Sequence, residues 1–385
     1  MPRPFPIVGL GASAGGLEAL EKFFAHVPAD CGIAFVVVTH QHPGHTSLLP
    51  ELLGKCTRMR VRVAEDGMTV EPNCVYMSQP EGYLAILDGA LHMMEPDETG
   101  PLRLPIDYFF RSLAEDQKEK AIGVVLSGTG TDGTLGLKAI KGAAGMTMAQ
   151  EPVSAKYSGM PDSAIATGLM DYILPVDAIP QRLVAYARGP YLAEEEPDAP
   201  GEARLSEPMQ KIIVLLRART GHDFSAYKPN TIRRRIERRI NVHQLKDPQH
   251  YLRLLHENPH ELDLLFKELL IGVTNFFRDP EAFNALAKTA VPKLFAARTD
   301  DAPVRVWVPG CSTGEEAYTI AMVLQECMGQ LKRQFAVQIF ATDLDSEAIE
   351  TARAGSYPEG IVRDVRPQRL ARFFAKSDDG YRIKK

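Results

Sequence analysis

The first half of the chain alternates between two hydrophobic patterns, and this alternation restricts the folds that it can adopt. Short apolar runs lie at residues 7–10, 34–38, 123–126 and 172–175, and amphipathic stretches such as LEALEKFFAHV and DGTLGLKAIKGA lie between them. Short apolar runs bounded by turn residues are typical of strands buried on both faces of a sheet, and the amphipathic stretches have helical spacing. The sequence therefore predicts an α/β domain in which helices cover a parallel sheet.

Changes in composition divide the rest of the chain. A segment rich in proline, glycine and acidic residues, RGPYLAEEEPDAPGEARLSEP, begins at Arg188 and indicates a linker. Beyond it, MQKIIVLLRART and HELDLLFKELL show helical spacing without strand signals, and from Val304 the alternation of strand and helix patterns returns. We therefore expect a Rossmann-like three-layer α/β domain over 1–187, a linker over 188–207, an all-helical domain over 208–295 and an incomplete Rossmann-like domain over 296–385.

Composition argues against several classes of protein. The 385 residues carry a formal net charge of -5, which gives no general attraction to nucleic acids. The five cysteines are scattered without a Cys-x-x-Cys pair, so neither a disulfide framework nor a zinc knuckle is indicated. No stretch approaches the roughly 20 apolar residues of a membrane span, and the first residues lack the apolar segment of a secretion signal. We expect a cytoplasmic protein that neither binds nucleic acid nor inserts into a membrane.

Three polar residues follow predicted strands, each in a loop at the carboxyl end of its strand. Ser13 lies in GLGASAGG after the first strand, His40 directly follows the second, and Asp132 lies in SGTGTDGTLG after a third. The carboxyl ends of parallel strands share one edge of a sheet, where catalytic groups collect. A serine nucleophile, a histidine base and an aspartate that orients the imidazole would together form a catalytic triad.

Each of these residues also has a structural interpretation, which the sequence leaves open. Ser13 could cap the helix that follows it, Asp132 could be a turn residue beside glycine, and His40 could lie at the edge of the core. The glycine spacing in GLGASAGG also resembles a dinucleotide-binding loop, but the second strand ends in Thr39 and His40 instead of the acidic residue that binds ribose. The coincidence of three suitable residue types at three strand ends favours catalysis.

A histidine cluster follows the second strand. His40, His42 and His45 form the pattern H-x-H-x-x-H, which could be read as a metal site. No cysteine or carboxylate accompanies it, and the transition from strand to loop spreads the three side chains. We therefore predict no metal.

Four blocks in the first half resemble the catalytic domain of the chemotaxis protein-glutamate methylesterases of the CheB type. They are GASAGGLEAL, VTHQHPGHTSLLPELL, LSGTGTDGTLGLKAIK and AQEPVSAKYSGMPDSAIATGLMDYILP, in this order over residues 5 to about 187. The resemblance implies hydrolysis of glutamate γ-methyl esters, and often deamidation of glutamine, on the cytoplasmic helices of chemoreceptors, without a cofactor. By position, Ser13 would be the nucleophile, His40 the base and Asp132 the orienting carboxylate. The resemblance also implies an oxyanion or substrate loop at Ala14, Thr129 and Gly130.

The sequence departs from this family in two respects. Thr39 stands where the family usually has glutamine before the histidine. Regulated members carry a phospho-acceptor receiver domain ahead of the esterase, whereas here the esterase pattern begins at the first residues. We therefore expect no activation by phosphorylation in cis.

The predicted helical domain contains a strongly basic stretch, KPNTIRRRIERRI, with six basic residues against one acidic residue. On a helix, Arg235, Arg238 and Arg239 lie on one side with Arg234 adjoining, opposite a stripe of isoleucines. Such a face could be solvated without a function, or it could bind RNA or an acidic protein. Because aromatic residues are not interleaved and the whole chain is acidic, we favour an acidic protein partner.

The last part of the chain has the pattern of a nucleoside-binding turn. VRVWVPGCSTGEEAYTIAM combines a strand, a turn with Gly310 and Gly314, and a helix that begins with Glu315 and Glu316, and VQIFATD ends a second strand at Asp343. In Rossmann-like domains such a turn receives the cofactor and the acid binds the ribose hydroxyls. Acidic residues at the start of the helix would repel a pyrophosphate and suit a cofactor such as S-adenosylmethionine.

The second half also resembles a known family, the chemoreceptor glutamate O-methyltransferases of the CheR type, over residues 208–385. The blocks are LRARTGHDFSAYKPNTIRRRIERRI, LLIGVTNFFRD, VPGCSTGEEAYTIAM and IFATDLDSEAIETARAGSYP. The resemblance implies S-adenosylmethionine as the methyl donor, with cofactor contacts at Thr274, Arg278, Gly310, Glu316 and Asp343. It implies docking on the acidic helices of methyl-accepting chemoreceptors through Arg234, Arg235, Arg238 and Arg239. Gly272 stands where the family often has asparagine, two residues before this threonine.

Together the two halves predict a bifunctional enzyme that removes and adds methyl groups on the same receptor glutamates. A linker of about 20 residues would keep both activities at a high local concentration around one substrate. The competing hypothesis is a non-catalytic signalling scaffold that binds receptor-like helices. The complete set of Ser13, His40 and Asp132 favours catalysis in the first half.

We predict that this chain binds S-adenosylmethionine weakly or not at all. A Rossmann-like methyltransferase needs a sheet of roughly seven strands, whereas after Asp343 the sequence indicates one helix, the helical segment RPQRLARFF and a hairpin around SDDGYRIKK. The apolar faces of VRVWV and VQIFA would then lack neighbouring strands. Isothermal titration calorimetry checks this, since micromolar binding together with methyl transfer to a receptor fragment would contradict it. Esterase activity should be retained.

Overall fold

The described residues of the computed structural model are 5–40, 48–80, 82–95, 104–193, 205–296, 303–377 and 380–384. They form two compact units, one with the described residues up to Ile271 and one with those from Gly272 onward. The first unit contains both the α/β domain and the predicted helical domain, and the second contains the Rossmann-like region.

The α/β domain follows the predicted alternation of strands and helices. Its strands are β1 (Ile7–Ala12), β2 (Ala34–Thr39), β3 (Arg60–Val63), β4 (Met68–Thr69), β5 (Cys74–Met77), β6 (Tyr83–Leu87), β7 (Ala90–Met94), β8 (Ala121–Val125), β9 (Met146–Gln150) and β10 (Tyr172–Leu174). Its helices are α1 (Gly16–Ala25), α2 (Leu49–Cys56), α3 (Pro105–Gln117), α4 (Thr134–Gly142), α5 (Gly159–Ala166) and α6 (Ile179–Ala187).

Seven strands form one parallel sheet in the order β10-β9-β8-β1-β2-β5-β3. Phe23 of α1 and Leu183 of α6 belong to the core on one face, and Phe110 of α3 and Leu137 of α4 belong to the core on the other. The predicted three-layer α/β fold is therefore confirmed. Because β1 lies between β2 and β8, the loops after these three strands leave the sheet side by side.

Glycines in β1 and α4 allow helix α3 to approach the sheet closely. A Cβ atom at Gly9 would lie 2.7 Å from Phe110, and one at Gly11 would lie 2.5 Å from Ile106. A Cβ atom at Gly136 in α4 would lie 2.4 Å from Phe110. Gly9 and Gly11 are thus needed for the packing of α3, which accounts for the glycine spacing that resembles a dinucleotide loop.

A three-stranded antiparallel sheet, in the order β4-β7-β6, is a feature that the strand predictions do not include. Strands β6 and β7 are joined by Asp88 and Gly89, whose φ angles of 51° and 72° suit a tight hairpin turn. The side chains of Leu84, Ile86 and Leu91 belong to the same core as α3. This sheet therefore extends the α/β core.

The helical domain consists of α8 (Glu207–Thr220), α9 (Pro229–Val242), α10 (Pro248–Glu257) and α11 (Pro259–Leu269). Aliphatic side chains together with Phe224 and Tyr251 form its core. Part of the predicted linker is also folded, since α7 (Pro190–Ala193) places Leu192 in the core of the α/β domain. The boundary predicted at residue 188 is therefore too early, because Leu192 contributes to that core.

The structure contradicts the prediction that Arg238 and Arg239 of α9 form an exposed face. Arg238 is 0% exposed and Arg239 is 5% exposed. Arg238 forms ion pairs with Asp171 of the α/β domain and Glu268 of α11, and Arg239 pairs with Glu261. These partners, which helical spacing cannot reveal, hold both guanidinium groups inside the first unit.

The other two arginines of this face are more accessible. Arg235 is half-buried and donates to backbone carbonyls of the α/β domain, and Arg234 has an exposed side chain that pairs with Glu119. The receptor-docking role of Arg234 and Arg235 stays a prediction.

Hydrogen bonds and ion pairs lower the pKa of the buried acids of the helical domain. Burial by itself would raise the pKa of Glu261, but hydrogen bonds from His243 and Arg239 outweigh it and lower this pKa to about 2. The Nη2 atom of Arg239 lies 2.6 Å, and the Nε2 atom of His243 2.8 Å, from Oε2 of Glu261. The Tyr251 hydroxyl donates to Oε1 at 2.7 Å. Glu261 is thus a fully partnered buried carboxylate.

The second unit begins at Gly272, earlier than the predicted boundary at residue 296. Its elements are α12 (Pro280–Ala285), α13 (Val291–Ala296), β11 (Val304–Pro309), α14 (Glu315–Leu331), β12 (Val337–Thr342), α15 (Ser346–Ala354), β13 (Ser356–Tyr357), α16 (Pro367–Phe373), β14 (Phe374–Ser377) and β15 (Gly380–Ile383). The boundary differs because Phe276 packs on Tyr357, and Phe295 stacks on Phe335, both within the second unit.

Two small sheets form the strand component of the second unit. Strands β11 and β12 pair in parallel, and β13, β15 and β14 form an antiparallel sheet, which agrees with the hairpin predicted near the last residues. Trp307 and Phe340 on the parallel pair are 69% and 53% exposed. Within the described residues these two strands have no further neighbouring strand.

None of the described helices is both long enough and apolar enough to cross a membrane. Cys31, Cys56, Cys74, Cys311 and Cys327 are all free thiols.

We predict that Glu261→Gln lowers the free energy of unfolding by about 3 kcal/mol at neutral pH, because a buried guanidinium loses its carboxylate partner. The contribution of the ionised group is present above the unfolded pKa of 4.5 and is lost as the pH falls toward the folded pKa of about 2. Urea unfolding at several pH values from neutral down to about pH 3 should show the difference from the wild type shrinking.

The matched control is Glu257→Gln, at an exposed acidic residue in the last turn of α10. It should change the stability by less than about 0.5 kcal/mol. A difference between Glu261→Gln and the wild type that does not depend on pH would contradict the prediction.

Candidate active site

Three side chains meet at the carboxyl edge of the seven-stranded sheet. The Nδ1 atom of His40 lies 2.9 Å from Ser13 Oγ, and the Nε2 atom lies 2.9 Å from Asp132 Oδ2. The His40 side chain is 32% exposed, whereas that of Asp132 is 2% exposed. The structure thus brings the three residues predicted from the strand ends into one hydrogen-bonded chain, from an accessible hydroxyl to a buried carboxylate.

One tautomer of His40 satisfies both hydrogen bonds. The Asp132 carboxylate only accepts, so Nε2 must carry the proton that it donates to Oδ2. The Nδ1 atom is then an acceptor for the hydroxyl proton of Ser13. This is the state of a histidine that is ready to act as a general base toward a serine, with the two ring nitrogens used in the reverse of the order found in chymotrypsin-like proteases.

The first turn of helix α3 also holds Asp132. Its Oδ2 accepts from the backbone N–H of Ile106 at 3.0 Å, and its Oδ1 accepts from Asp107 at 2.8 Å and Gly133 at 3.0 Å. The N–H groups at the start of a helix have no intrahelical acceptor, and the helix dipole favours a negative charge there. The carboxylate is therefore fixed in one orientation with Oδ2 toward His40.

Ser127, two residues after the end of β8, holds the turn that carries Ser13. Its carbonyl accepts from the backbone N–H of Ser13 at 3.0 Å, and its hydroxyl donates to the Ala14 carbonyl at 2.9 Å. The same hydroxyl accepts from the N–H of Tyr157 at 3.0 Å, while the N–H of Ser127 donates to the Gln150 side chain at 2.9 Å. Ser127 thus connects the turn that carries Ser13 to strand β9 and to the loop before α5.

The predicted oxyanion loop lies next to Ser13. A Cβ atom at Gly128 would lie 3.0 Å from the Cβ of Ser13, so the loop that continues through Thr129 and Gly130 begins in contact with the serine. Within the described residues, the backbone N–H groups of Ala14, Thr129 and Gly130 have no acceptor. The N–H of Ser13 itself is engaged with Ser127, so the donors for an oxyanion are those of the adjoining turn and loop.

The histidine cluster is only partly described. His42 and His45 lie outside the described residues, so their relation to His40 is not defined by the structure. Elsewhere, in the part of the chain that the structure describes, no group of three or more histidine, cysteine, aspartate or glutamate residues is arranged to hold a metal.

The glycine turn of the second unit has the conformation that its sequence indicates. Gly310 and Gly314 have φ angles of 66° and 95°, which are strained for residues with side chains. A Cβ atom at Gly310 would meet nothing within 4 Å, so open space adjoins the turn. Glu316 is exposed, whereas Glu315 is 6% exposed and accepts from the Thr313 hydroxyl. Glu316 is therefore the accessible member of the acidic pair.

Asp343 lies beside this turn, at the end of β12. Its Oδ2 accepts from the backbone N–H of Ser312 at 2.7 Å, and its Oδ1 accepts from that of Asp345 at 2.9 Å. Thr274 is half-buried, and the exposed Arg278 donates to the Val273 carbonyl. Within the described residues no hydrogen bond joins Thr274 or Arg278 to the glycine turn, and the cofactor contacts predicted for these two residues stay predictions.

Sequence reasoning missed the groups that position the triad. These are the amide groups of Ile106 and Asp107, and the side chains of Ser127 and Gln150. A signal for Ser127 was present in the sequence, because this serine directly follows the apolar run at 123–126 in LSGTGTDG. The start of α3 gave no such signal, because its contact with Asp132 arises only when the helix packs on the sheet.

Three family models match the chain. The model of the CheB methylesterase matches residues 8–183, that of the all-alpha domain of the CheR methyltransferase matches 207–270, and that of the SAM-binding domain of the CheR methyltransferase matches 272–385. The matched ranges correspond to the α/β domain, the helical domain and the second unit.

Individual relatives agree with these matches. An uncharacterized 104.1 kDa protein in the hypE 3′ region of Rhodobacter capsulatus is 38% identical over 356 residues, which are 87% of this chain and 37% of that protein. Protein-glutamate methylesterase/protein-glutamine glutaminase 3 of Burkholderia orbicola is 39% identical over 181 residues, which are 46% of this chain and 53% of the relative. The chain thus spans between about a third and a half of the length of these relatives.

One solved structure is the catalytic domain of the Thermotoga maritima CheB methylesterase. It is 32% identical, covers 47% of this chain and 98% of its own, and superposes with a TM-score of 0.45.

We predict that Gly128→Ala lowers the free energy of unfolding by about 2 kcal/mol, as overpacking of a buried position commonly does. The new Cβ atom would lie 2.1 Å from Met160 Sδ and 3.0 Å from Ser13 Cβ, so the Met160 side chain, the predicted oxyanion loop or the serine must move. Chemical denaturation measures the loss. The control is Gly54→Ala in α2, where a Cβ atom meets nothing within 4 Å, and this variant should be as stable as the wild type or more stable. Equal stabilities of the two variants would contradict the prediction.

Proposed function

The chain combines a CheB methylesterase domain with the all-alpha and SAM-binding domains of a CheR methyltransferase. We therefore propose that it is a bifunctional enzyme that hydrolyses and forms glutamate γ-methyl esters on chemoreceptors. The first reaction belongs to the α/β domain and the second to the CheR domains. The observation that carries the esterase assignment is the hydrogen-bonded chain from Ser13 through His40 to Asp132.

Ser13 is the nucleophile in the proposed esterase reaction. Its Oγ attacks the carbonyl carbon of the γ-methyl ester while its proton passes to Nδ1 of His40, to which it is hydrogen-bonded at 2.9 Å. Asp132 at Nε2 stabilises the imidazolium that forms. The negative charge on the carbonyl oxygen would be stabilised by backbone N–H groups of Ala14, Thr129 and Gly130.

The intermediate then collapses to a glutamyl ester of Ser13. The bond to the methoxy oxygen breaks, His40 returns the proton to this oxygen, and methanol leaves. A water molecule next attacks the acyl carbon and gives its proton to His40, and the bond to Ser13 Oγ breaks as the oxygen recovers a proton. The product is a receptor glutamate. A glutamine side chain would react in the same way with ammonia as the leaving group, so deamidation is a second reaction of the same site.

The geometry favours this enzyme over a non-catalytic scaffold. Asp132 is buried with each carboxylate oxygen engaged, and it orients an accessible histidine toward an accessible serine. A surface that only binds receptor helices needs no such alignment of a carboxylate, an imidazole and a hydroxyl. The alignment is what acyl transfer requires.

For the CheR part we propose S-adenosylmethionine-dependent methylation of receptor glutamates as the reaction to which its residues are suited. That this chain by itself binds the cofactor weakly or not at all stays a prediction. When bound, this cofactor supplies an activated methyl group for a carboxylate oxygen. The open space beside Gly310 and the exposed carboxylate of Glu316 fit a cofactor without phosphates, and Asp343 at the end of β12 would bind the ribose hydroxyls. Thr274 and Arg278 would contact its methionine part.

The proposed substrates are the cytoplasmic helices of methyl-accepting chemoreceptors, which assigns the protein to the cytoplasm. The proposal includes neither nucleic acid nor insertion into a membrane.

We predict that Ser13→Ala, His40→Ala and Asp132→Ala each lower the rate of methanol release from a methylated receptor fragment by at least about a thousandfold. The reason is that each variant removes one member of the hydrogen-bonded chain. The control is Ser206→Ala, at an exposed serine of the helical domain, which should keep full activity. Circular dichroism establishes that the variants are folded. Retained hydrolysis by Ser13→Ala would refute the mechanism, and receptor binding without methanol release by the wild type would favour the scaffold.

A further inference from the structure

The face of α9 that carries the arginines lies against the carboxyl end of helix α4 of the esterase domain. Arg235 donates to the carbonyls of Lys141 at 3.2 Å and Gly142 at 3.1 Å. Arg238 donates to the carbonyls of Ala144 at 3.1 Å and Gly145 at 2.8 Å. The last carbonyls of a helix have no intrahelical donor, and the helix dipole favours a cation at this end. Arg235 therefore caps the carboxyl end of α4, and Arg238 binds the loop between α4 and β9, both from another domain.

Buried charges extend the contact across the same boundary. Arg238 pairs with Asp171 of the esterase domain and, at 2.7 Å, with Glu268 of the helical domain. Lys141 of the esterase domain lies 2.5 Å from Asp171 and 3.6 Å from Glu268. All four side chains are at most 6% exposed. Each domain thus contributes one cation and one carboxylate to a cluster that neither could assemble alone.

Apolar and neutral polar contacts continue the interface at the end of α9. Val242 is 4% exposed and belongs to the hydrophobic core of the esterase domain. The Tyr172 hydroxyl donates to the Val242 carbonyl, and the Asn241 side chain donates to the Tyr186 carbonyl at 3.2 Å. A buried aliphatic residue shared between two domains is typical of a lasting interface, because its exposure to water is unfavourable.

We propose that the helical domain is a permanent structural partner of the esterase domain, in which α9 caps helix α4 and completes the esterase core, so that the two domains open and unfold as one cooperative body. The arginine face of α9 is consequently an internal docking surface whose partner is the esterase domain of the same chain. The proposal depends on neither proposed activity.

Cleavage of the linker tests whether the two domains stay associated. A specific protease site is inserted between residues 194 and 204 of the full chain, and the cleaved protein is analysed by size-exclusion chromatography. The fragment with the esterase domain and the fragment with the helical domain should elute together. Separate elution at micromolar concentration would overturn the proposal.

Amide hydrogen exchange of the uncut chain tests the role of the arginines. Arg238→Met should raise the rate of amide hydrogen exchange at least tenfold on both sides of the interface, that is, in residues 140–147 and in residues 238–242. Arg235→Ala loses only the two hydrogen bonds to the carbonyls of Lys141 and Gly142. It should raise the amide exchange rate of residues 140–147 about threefold. This variant tests the proposal if Arg238→Met does not fold. The control is Arg253→Ala, at an exposed arginine of α10, which should change neither segment.

An increase confined to the helical domain would refute the proposal, since the esterase domain would then be independent of α9. Methanol release is measured separately on the same proteins. An inactive wild type that still shows the coupled exchange would refute the esterase assignment and leave the interface proposal intact.

Discussion

The contact between the Asp132 carboxylate and the first turn of α3 is the interaction on which the candidate active site depends. The amides of Ile106 and Asp107 need an acceptor at the start of the helix, and the buried carboxylate needs donors. Because one oxygen also binds His40, the same contact sets the orientation of the ring, and the ring in turn is hydrogen-bonded to Ser13 Oγ. The first turn of α3 thus gains an acceptor for its amides, and the Asp132 carboxylate in the chain of hydrogen bonds gains donors.

This contact is possible only because α3 lies very close to the sheet. Gly9 and Gly11 in β1 leave the room that Phe110 and Ile106 occupy, so the glycines of the first strand determine where the start of α3 lies. Larger residues in β1 would displace the helix from the sheet and draw its amides away from Asp132. The glycine spacing therefore serves the catalytic edge of the sheet indirectly, through packing, and not by admitting a phosphate.

The sequence predicted four of the seven parallel strands, β1, β2, β8 and β10, because apolar runs buried on both faces are distinctive. It also predicted the three polar residues that follow β1, β2 and β8. It did not predict β3, β5 and β9. It did not predict the antiparallel sheet β4-β7-β6, whose strands are short and half-exposed, or the packing of Phe276 and Phe295 in the second unit. It also missed the burial of Arg238. Helical spacing identifies residues that share a face, but what covers that face depends on a domain distant in sequence.

The buried charges at the interface between the helical domain and the esterase domain set the orientation of α9 more than they strengthen the association of the two domains. Lys141 and Asp171 neutralise each other within the esterase domain, and Arg238 and Arg239 face Glu261 and Glu268 within the helical domain. Desolvation of such pairs offsets much of their attraction. The main contributions to the stability of the interface are then the burial of Val242 and the hydrogen bonds to the α4 carbonyls. The alternating charges make any other register of α9 on the esterase domain unfavourable. The basic helix α9, whose charge would suit an acidic surface, is thereby held on a surface of the esterase domain that carries both a cation and a carboxylate.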